Sequence, residues 1–181
     1  MKKIVLLTLA MLLTFGSFAQ DKPVSTEKNV LKVNTLSLFL GTGSIFYERN
    51  FSEKLAGQLG VGYLNFSGGD TKFTGLFLTP EVRFYPKKNA IDGMYIAPYF
   101  RYQKFAAENS EENAEGTLTA IGGGLAFGRQ WITDSGFTMD LFFGGHYGDA
   151  KVKAELGADA IDAKFFKGFK PRFGFALGFA F

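Results

Sequence analysis

The chain has no cysteine, one histidine and one tryptophan. Without thiols there is neither a disulfide framework nor a thiolate metal site. A lone histidine among scattered carboxylates does not make a zinc constellation, so neither metal nor cofactor is expected. After the first twenty residues no apolar run reaches the ~20 residues a helix needs to cross a bilayer. A strong charge bias is missing as well. The formal net charge is +3 over 181 residues, and removal of residues 1–19 takes away two lysines and no acid, leaving 18 basic against 17 acidic groups, or +1. Nucleic acid is therefore not an expected partner.

The N-terminus reads as a secretory signal. Lys2 and Lys3 precede an apolar stretch from Ile4 to Phe15, and Ser17-Phe18-Ala19 has the small-x-small form of a cleavage site. The expected organisation is a signal peptide at 1–19, a short segment at 20–29 and one β-barrel domain at 30–181. The apolar stretch is too short to span as a helix, and with no cysteine after it a lipid anchor is not expected.

What the chain does have is 22 phenylalanines, seven tyrosines and 23 glycines. Its end, RFGFALGFAF, alternates strictly: Phe173, Phe175, Leu177, Phe179 and Phe181 share one face of a strand, and Gly174, Ala176, Gly178 and Ala180 share the other. Lipid outside and a crowded lumen inside fit this pattern. Seven more segments of suitable length follow turn chemistry at about 30–40, 43–51, 55–66, 73–85, 94–105, 117–131 and 137–150, with the last at 169–181. Most show one apolar and one small or polar face. Leu59, Val61 and Tyr63 oppose Gln58, Gly60 and Gly62, while Met139, Leu141 and Phe143 oppose Asp140, Gly144 and His146. The expected fold is all-β, an eight-stranded antiparallel up-and-down transmembrane barrel. Pro98, which cannot donate to a ladder, is an anomaly in the fifth strand. In the first strand Lys32 and Asn34 share a parity with Leu36, Leu38 and Leu40, which implies a bulge or a partly apolar lumen face. Short connections at 52–54, 86–93 and 133–136 would be periplasmic, and the longer polar ones at 67–72, 106–116 and 151–168 extracellular. Strands seven and eight could run on as a protruding hairpin. Trp131 and Tyr102 would sit at the lipid–water interface, whereas Tyr85 and Tyr95 have lumen parity.

The stretch NVLKVNTLSLFLGTGSIFYERNFSEKLAGQLGVGY, with Tyr-Glu-Arg at 47–49 and its glycine-rich third strand, resembles the small uncharacterised outer-membrane β-barrel families of OmpA-membrane-domain and OmpX type. That resemblance implies an outer-membrane location and a structural or surface-interaction role with a filled lumen. It also implies that Phe173, Phe175, Phe179 and Phe181 form the signal read by the barrel-assembly machinery, and that lipopolysaccharide is a neighbour.

The lumen-facing charges are Glu48, Glu81, Arg83, Arg101 and Asp140, with Gln58, Gln103 and Gln130. In a narrow lumen such charges must pair, because an isolated buried ion costs several kcal/mol; an ion-paired plug is expected, and a gated ion path is the sharper alternative. His146 is the one residue that invites a catalytic reading, as the base of a lipid A-modifying barrel enzyme. A serine nucleophile on the same face two residues along would be needed there, and that position is Gly148. No catalytic residue is therefore assigned and no enzyme is expected. The remaining alternatives are a narrow pore and a ligand-carrying barrel. The IGGGLAFG run at 121–128 lacks the Lys-Ser/Thr ending of a phosphate loop, and its glycines would instead make room for lumen side chains such as Tyr99 and Phe77. Lys151, Lys153, Lys164 and Lys167, near the last long loop, are candidate contacts for lipopolysaccharide phosphates, facing the acidic Glu108, Glu111, Glu112 and Glu115. The barrel is expected to be monomeric.

If the terminal aromatics direct assembly, Phe181→Ala should lower the amount of folded protein in the outer membrane severalfold. Unchanged levels on immunoblots of membrane fractions would contradict that role.

Overall fold

The computed structural model describes residues 27–38, 41–68, 71–87, 90–109, 114–156 and 166–181. The expected signal peptide and most of the segment before the barrel lie outside the described residues. Eight strands follow one another: β1 (Asn29–Asn34), β2 (Thr42–Asn50), β3 (Leu55–Gly68), β4 (Thr71–Phe84), β5 (Gly93–Asn109), β6 (Ala114–Ile132), β7 (Phe137–Leu156) and β8 (Gly168–Ala180). Each pairs antiparallel with the next, and β8 returns to β1 to close the barrel. With an even number of strands, Asn29 and Phe181 meet at one end, where the Asn29 and Phe181 backbones exchange hydrogen bonds of 2.9 Å.

The alternation read from the sequence sets which face looks out. On β4 the exposed side chains are Leu76, Leu78, Pro80, Val82 and Phe84, and on β5 Met94, Ile96, Pro98, Phe100 and Tyr102. Five alternate positions cover about 27 Å of strand, which at the usual tilt projects to roughly 20 Å, most of an apolar band of ~25 Å. Thr79, Glu81, Arg83, Asp140 and Gln130 point inward.

Beyond this belt, at the end away from the termini, the polarity inverts. Lys72, Lys104, Thr117, Thr119, Asp149, Lys151 and Lys153 now face out, while Phe73, Phe105, Leu118, Ala120, Ala150 and Phe166 pack inward as a separate apolar cluster. The barrel thus passes from a membrane pattern to that of a soluble β-protein along the same strands. Among the described residues this far region is built by β4 to β7 with Phe166, and the turn of the hairpin expected for strands seven and eight lies outside them. β8 begins opposite Gly148, and β7 continues to Leu156 against β6. Parts of the sequence expected as loop, at 67–68, 71–72, 106–109, 114–116 and 151–156, are therefore strand, because the alternation survives with the faces exchanged.

The ambiguous first strand has a different solution from a bulge. β1 stops at Asn34 and one helical turn, α1 (Thr35–Leu38), follows. The Asn34 carboxamide accepts from the Ser37 N–H at 3.3 Å, and the Ser37 hydroxyl donates to the Asn34 carbonyl at 2.8 Å. This local side-chain bonding competes with strand continuation. It frees Leu36 and Leu38 from the parity of Lys32 and Asn34, which face the lumen.

Pro98 faces lipid, across a short interval from Pro80 on β4. Between Leu78↔Tyr102 and Phe84↔Ile96 the β4–β5 ladder keeps only Glu81↔Tyr99. Inside, side chains tie the same two strands: Arg101 Nε donates to Thr79 Oγ1 at 3.2 Å, and the Arg83 guanidinium lies 4.1 Å from the centre of the Tyr95 ring. The proline interval is thus fastened from within.

At the closing seam Gly178 touches β1 so closely that an added Cβ would lie 2.0 Å from the Leu31 carbonyl oxygen and 2.7 Å from Lys32 Cα. Gly178→Val should keep the barrel from closing. The compact, heat-modifiable band on unboiled gels is expected to disappear, and its persistence would show that the seam tolerates a side chain.

Candidate functional site

The lumen holds three layers. The one nearest the termini is ionic, and every strand contributes to it. Lys32 of β1 donates through Nζ to Glu48 Oε2 at 2.7 Å, to Asp140 Oδ2 at 2.8 Å and to Gln130 Oε1. Arg83 of β4 reaches the same two carboxylate oxygens through Nη1, at 3.1 Å to Glu48 and 2.9 Å to Asp140, and donates through Nε to Glu81 Oε1 at 2.8 Å. The second oxygens are occupied too: Tyr85 OH donates to Glu48 Oε1 at 2.7 Å, Tyr95 OH to Asp140 Oδ1 at 2.8 Å, and Arg172 Nη1 of β8 to Glu81 Oε2 at 2.9 Å. Gln58 of β3 reaches Glu81 at 3.4 Å. Lys32, Glu48, Arg83 and Asp140 have no solvent-exposed side-chain surface. Three cations and three carboxylates therefore neutralise one another, which buried ions require.

Of the residues singled out from the sequence, Glu48, Glu81, Arg83 and Asp140 come together here. Arg101 does not belong to the cluster. It lies farther along the lumen, on Thr79 and above the Phe77 ring at 5.1 Å. Lys32 and Arg172 take its place. Arg172 is readable by parity, and Lys32 is hidden by the apparent continuity of the first strand with the leucines after it.

The turn between β4 and β5 is more than the simple connection its sequence implies. Ala90 and Ile91 are buried and fold into the barrel end: the Ala90 N–H donates to the Glu53 carbonyl at 3.0 Å, and Gln130 Nε2 to the Ile91 carbonyl at 2.6 Å. Ile91 is held at φ 70°, an unfavourable conformation for a β-branched residue that persists only where the surroundings impose it. The signal is two apolar residues, Ala90-Ile91, in an otherwise polar turn.

The second layer is aromatic and basic. The Arg172 guanidinium stacks 4.0 Å from the centre of Tyr99 and 4.9 Å from that of Phe142. Phe142 meets Phe46 edge-on at 6.1 Å. His146 stacks on Tyr99 with ring centres 6.0 Å apart and planes at 12°. Its imidazole rests where Gly122 and Gly148 have no side chains, since a Cβ on either would come within 2.6 and 2.8 Å of the ring. Tyr99 OH lies 2.8 Å from the corresponding point on Gly124, so the glycine run does seat Tyr99; Phe77 lies instead against Gly62 of β3. The third layer is the apolar far cluster, where Phe166 packs on Phe73 at 5.3 Å and on Phe105 at 5.2 Å.

Around the far rim, Lys151 and Lys153 face outward and are exposed. Lys167 lies 4.0 Å from Asp149 at the surface. Lys164, Glu111 and Glu112 lie outside the described residues. Phe173, Phe179 and Phe181 point outward, and Phe175 is half-buried on the same face. Among the described residues no group of three or more His, Asp or Glu side chains is arranged to hold a metal ion.

The profile of a family described as "Protein of unknown function (DUF3575)" matches residues 4–155. No curated protein matches the chain. Among solved structures, Acinetobacter baumannii CarO2 is similar at 12% identity with a TM-score of 0.50, covering 86% of this chain and 98% of that one. A major outer membrane protein from Thermus thermophilus is similar at 13% identity and a TM-score of 0.50, covering 87% of this chain and 100% of the other. At such identities the likeness is one of fold.

Removing one partner of the ionic layer leaves the others buried and uncompensated, at a cost of about 3–5 kcal/mol. Asp140→Ala should accordingly lower the urea midpoint of the reconstituted barrel strongly. The double variant Lys32→Met/Asp140→Leu, which removes a cation and a carboxylate together, should lose less than Asp140→Ala alone. Equal midpoints for wild type and Asp140→Ala would show that the carboxylate is solvated.

Proposed function

We propose, from the premise that the chain belongs to the DUF3575 family, that it is a non-enzymatic outer-membrane barrel with a closed lumen and a structural or surface-interaction role. The observation that carries this reading is the ionic layer. Side chains from all eight strands meet there in one self-neutral network with no exposed surface at its centre. An eight-stranded barrel is only wide enough to hold its own side chains, and the inward turn at Ala90-Ile91 adds a stopper at the same end. The outer-membrane location is supported by the apolar belt and by the outer-membrane protein of like fold.

A catalytic reading of His146 lacks the parts it needs. Its Nδ1 has no hydrogen-bond partner among the described residues, whereas the base of an acyl-transfer triad is oriented by one. The surface role is supported by the far collar, where Lys72, Lys104, Lys151 and Lys153 stand outward just beyond the belt. Lysines at that level suit the phosphates of lipopolysaccharide. β1 closes the ring by pairing with both β2 and β8 at the end near the termini, which supports a monomer whose assembly depends on the barrel-assembly machinery.

Liposome-swelling and planar-bilayer measurements test the closed lumen. Purified protein should give neither solute flux nor stable conductance steps above protein-free membranes. Reproducible single-channel steps from the wild type would replace this reading with the narrow pore.

A further inference from the structure

We infer that the middle layer of the lumen is a binding site for an oxyanion, a phosphate or carboxylate group, held by Arg101, Arg172 and His146. This goes beyond the closed-barrel reading and does not depend on it, since the site lies on the far side of the ionic layer.

The argument begins with charge. Among the described residues Lys32, Arg83 and Arg172 are matched by Glu48, Glu81 and Asp140, and Arg101 is a further cation on the lumen face. The two oxygens of Glu81 are committed to Arg83 and Arg172 at 2.8 and 2.9 Å. The contacts of Arg101 are the Thr79 hydroxyl and the face of Phe77, neither of which is an anion. Arg172 lies on the ring of Tyr99, two residues from Arg101 on the lumen face of β5, and Gly122, the β6 partner of Arg101, lies against the His146 ring. Arg101 is half-buried, and an anion between two guanidinium groups in one lumen would offset their like charge.

Hydrogen-bonding capacity points to the same place. Arg172 Nε and His146 Nδ1 are buried with no partner, on residues that are 7% and 8% exposed. Buried polar atoms of this kind call for an explanation. The seat of His146 adds one: its imidazole fills the recess left by Gly122, and Gly122 is the β6 residue paired with Arg101. Tyr99 is shared, since Arg172 lies on its ring and His146 stacks on it. Two guanidinium groups and an imidazole N–H form a donor set suited to several oxygens of one anion.

The surroundings suit an anion carried on an apolar chain as well as a free one. The layer beyond is apolar, lined by Phe73, Phe105 and Phe166. Arg172 stands on the part of β8, from Gly168 to Phe175, that has no β1 ladder partner among the described residues, where Thr35 Oγ1 donates to the Phe175 carbonyl at 2.9 Å. Here the wall between lumen and lipid is not zipped by β1.

The test uses the full mature chain, purified in neutral detergent with ¹⁵N-labelled histidine. It is titrated with inorganic phosphate, with dodecyl phosphate, and with additional dodecyl maltoside as the uncharged control. The His146 ring resonances should shift saturably with one site per barrel, and Arg101→Gln should weaken binding by about tenfold or more, as expected for a lost charged hydrogen bond. Arg101→Lys should retain part of the affinity. A response to both anions assigns a free oxyanion as sufficient, whereas a response to dodecyl phosphate alone assigns an anionic amphiphile; either supports the site. If neither anion shifts His146 saturably, or if Arg101→Gln binds as tightly as wild type, the inference is overturned. Should Arg101→Gln fail to show heat-modifiable folding, His146→Gln measured by calorimetry supplies the same comparison, and unchanged affinity there overturns it equally.

Discussion

A closed ring of eight strands encloses a space that its own side chains must fill, and everything inside has to be satisfied without bulk water. The bridging of Glu48 and Asp140 by Lys32 and Arg83 is how this barrel meets that constraint. Each carboxylate accepts from both cations on one oxygen and from a tyrosine on the other. Removing any member would strand the others, so the positions of Tyr85, Tyr95 and Gln130 follow from the same requirement. The inward turn that buries Ile91 at an unfavourable φ follows too, since its carbonyl accepts from Gln130.

The strands carry two opposite patterns in succession. In the belt, apolar residues face lipid and charges face inward; beyond it, lysines and threonines face out and phenylalanines turn in. The change occurs along single strands, between Tyr102 and Lys104 on β5 and between Ile121 and Thr119 on β6. Its position marks the edge of the hydrocarbon, because only the solvent outside the wall changes there. The aromatic and basic layer between the ionic and apolar ones holds the unpartnered donor Arg172 Nε and the unpartnered His146 Nδ1.

Much of this is legible in the sequence because a strand has period two. The face of Glu81, Arg83, Asp140 and Phe173 can be read residue by residue, and Tyr85 and Tyr95 can be assigned to the lumen. Where the reading fails, a local exception intervenes. Lys32 is obscured because the side-chain bonding of Asn34 and Ser37 ends the strand and resets its parity. The far ends of β5, β6 and β7 look like loops because their outward residues are polar, although the alternation continues. Arg101 groups with the other charges in the sequence because parity fixes which face a residue occupies and leaves its neighbours across the lumen open.

The sequence by itself determined the number of strands, their inward and outward faces and the apolar belt, since these depend on spacing along the chain. The tertiary structure decided which charges meet. Pairing across a lumen depends on register, tilt and closure, through which Lys32 and Asp140, 108 residues apart, come within hydrogen-bonding distance. The same closure stacks Arg172 and His146 on Tyr99 and leaves Arg101 on Thr79 and Phe77. Periodicity is a local property of the chain, and neutrality inside a closed barrel is a property of the whole ring.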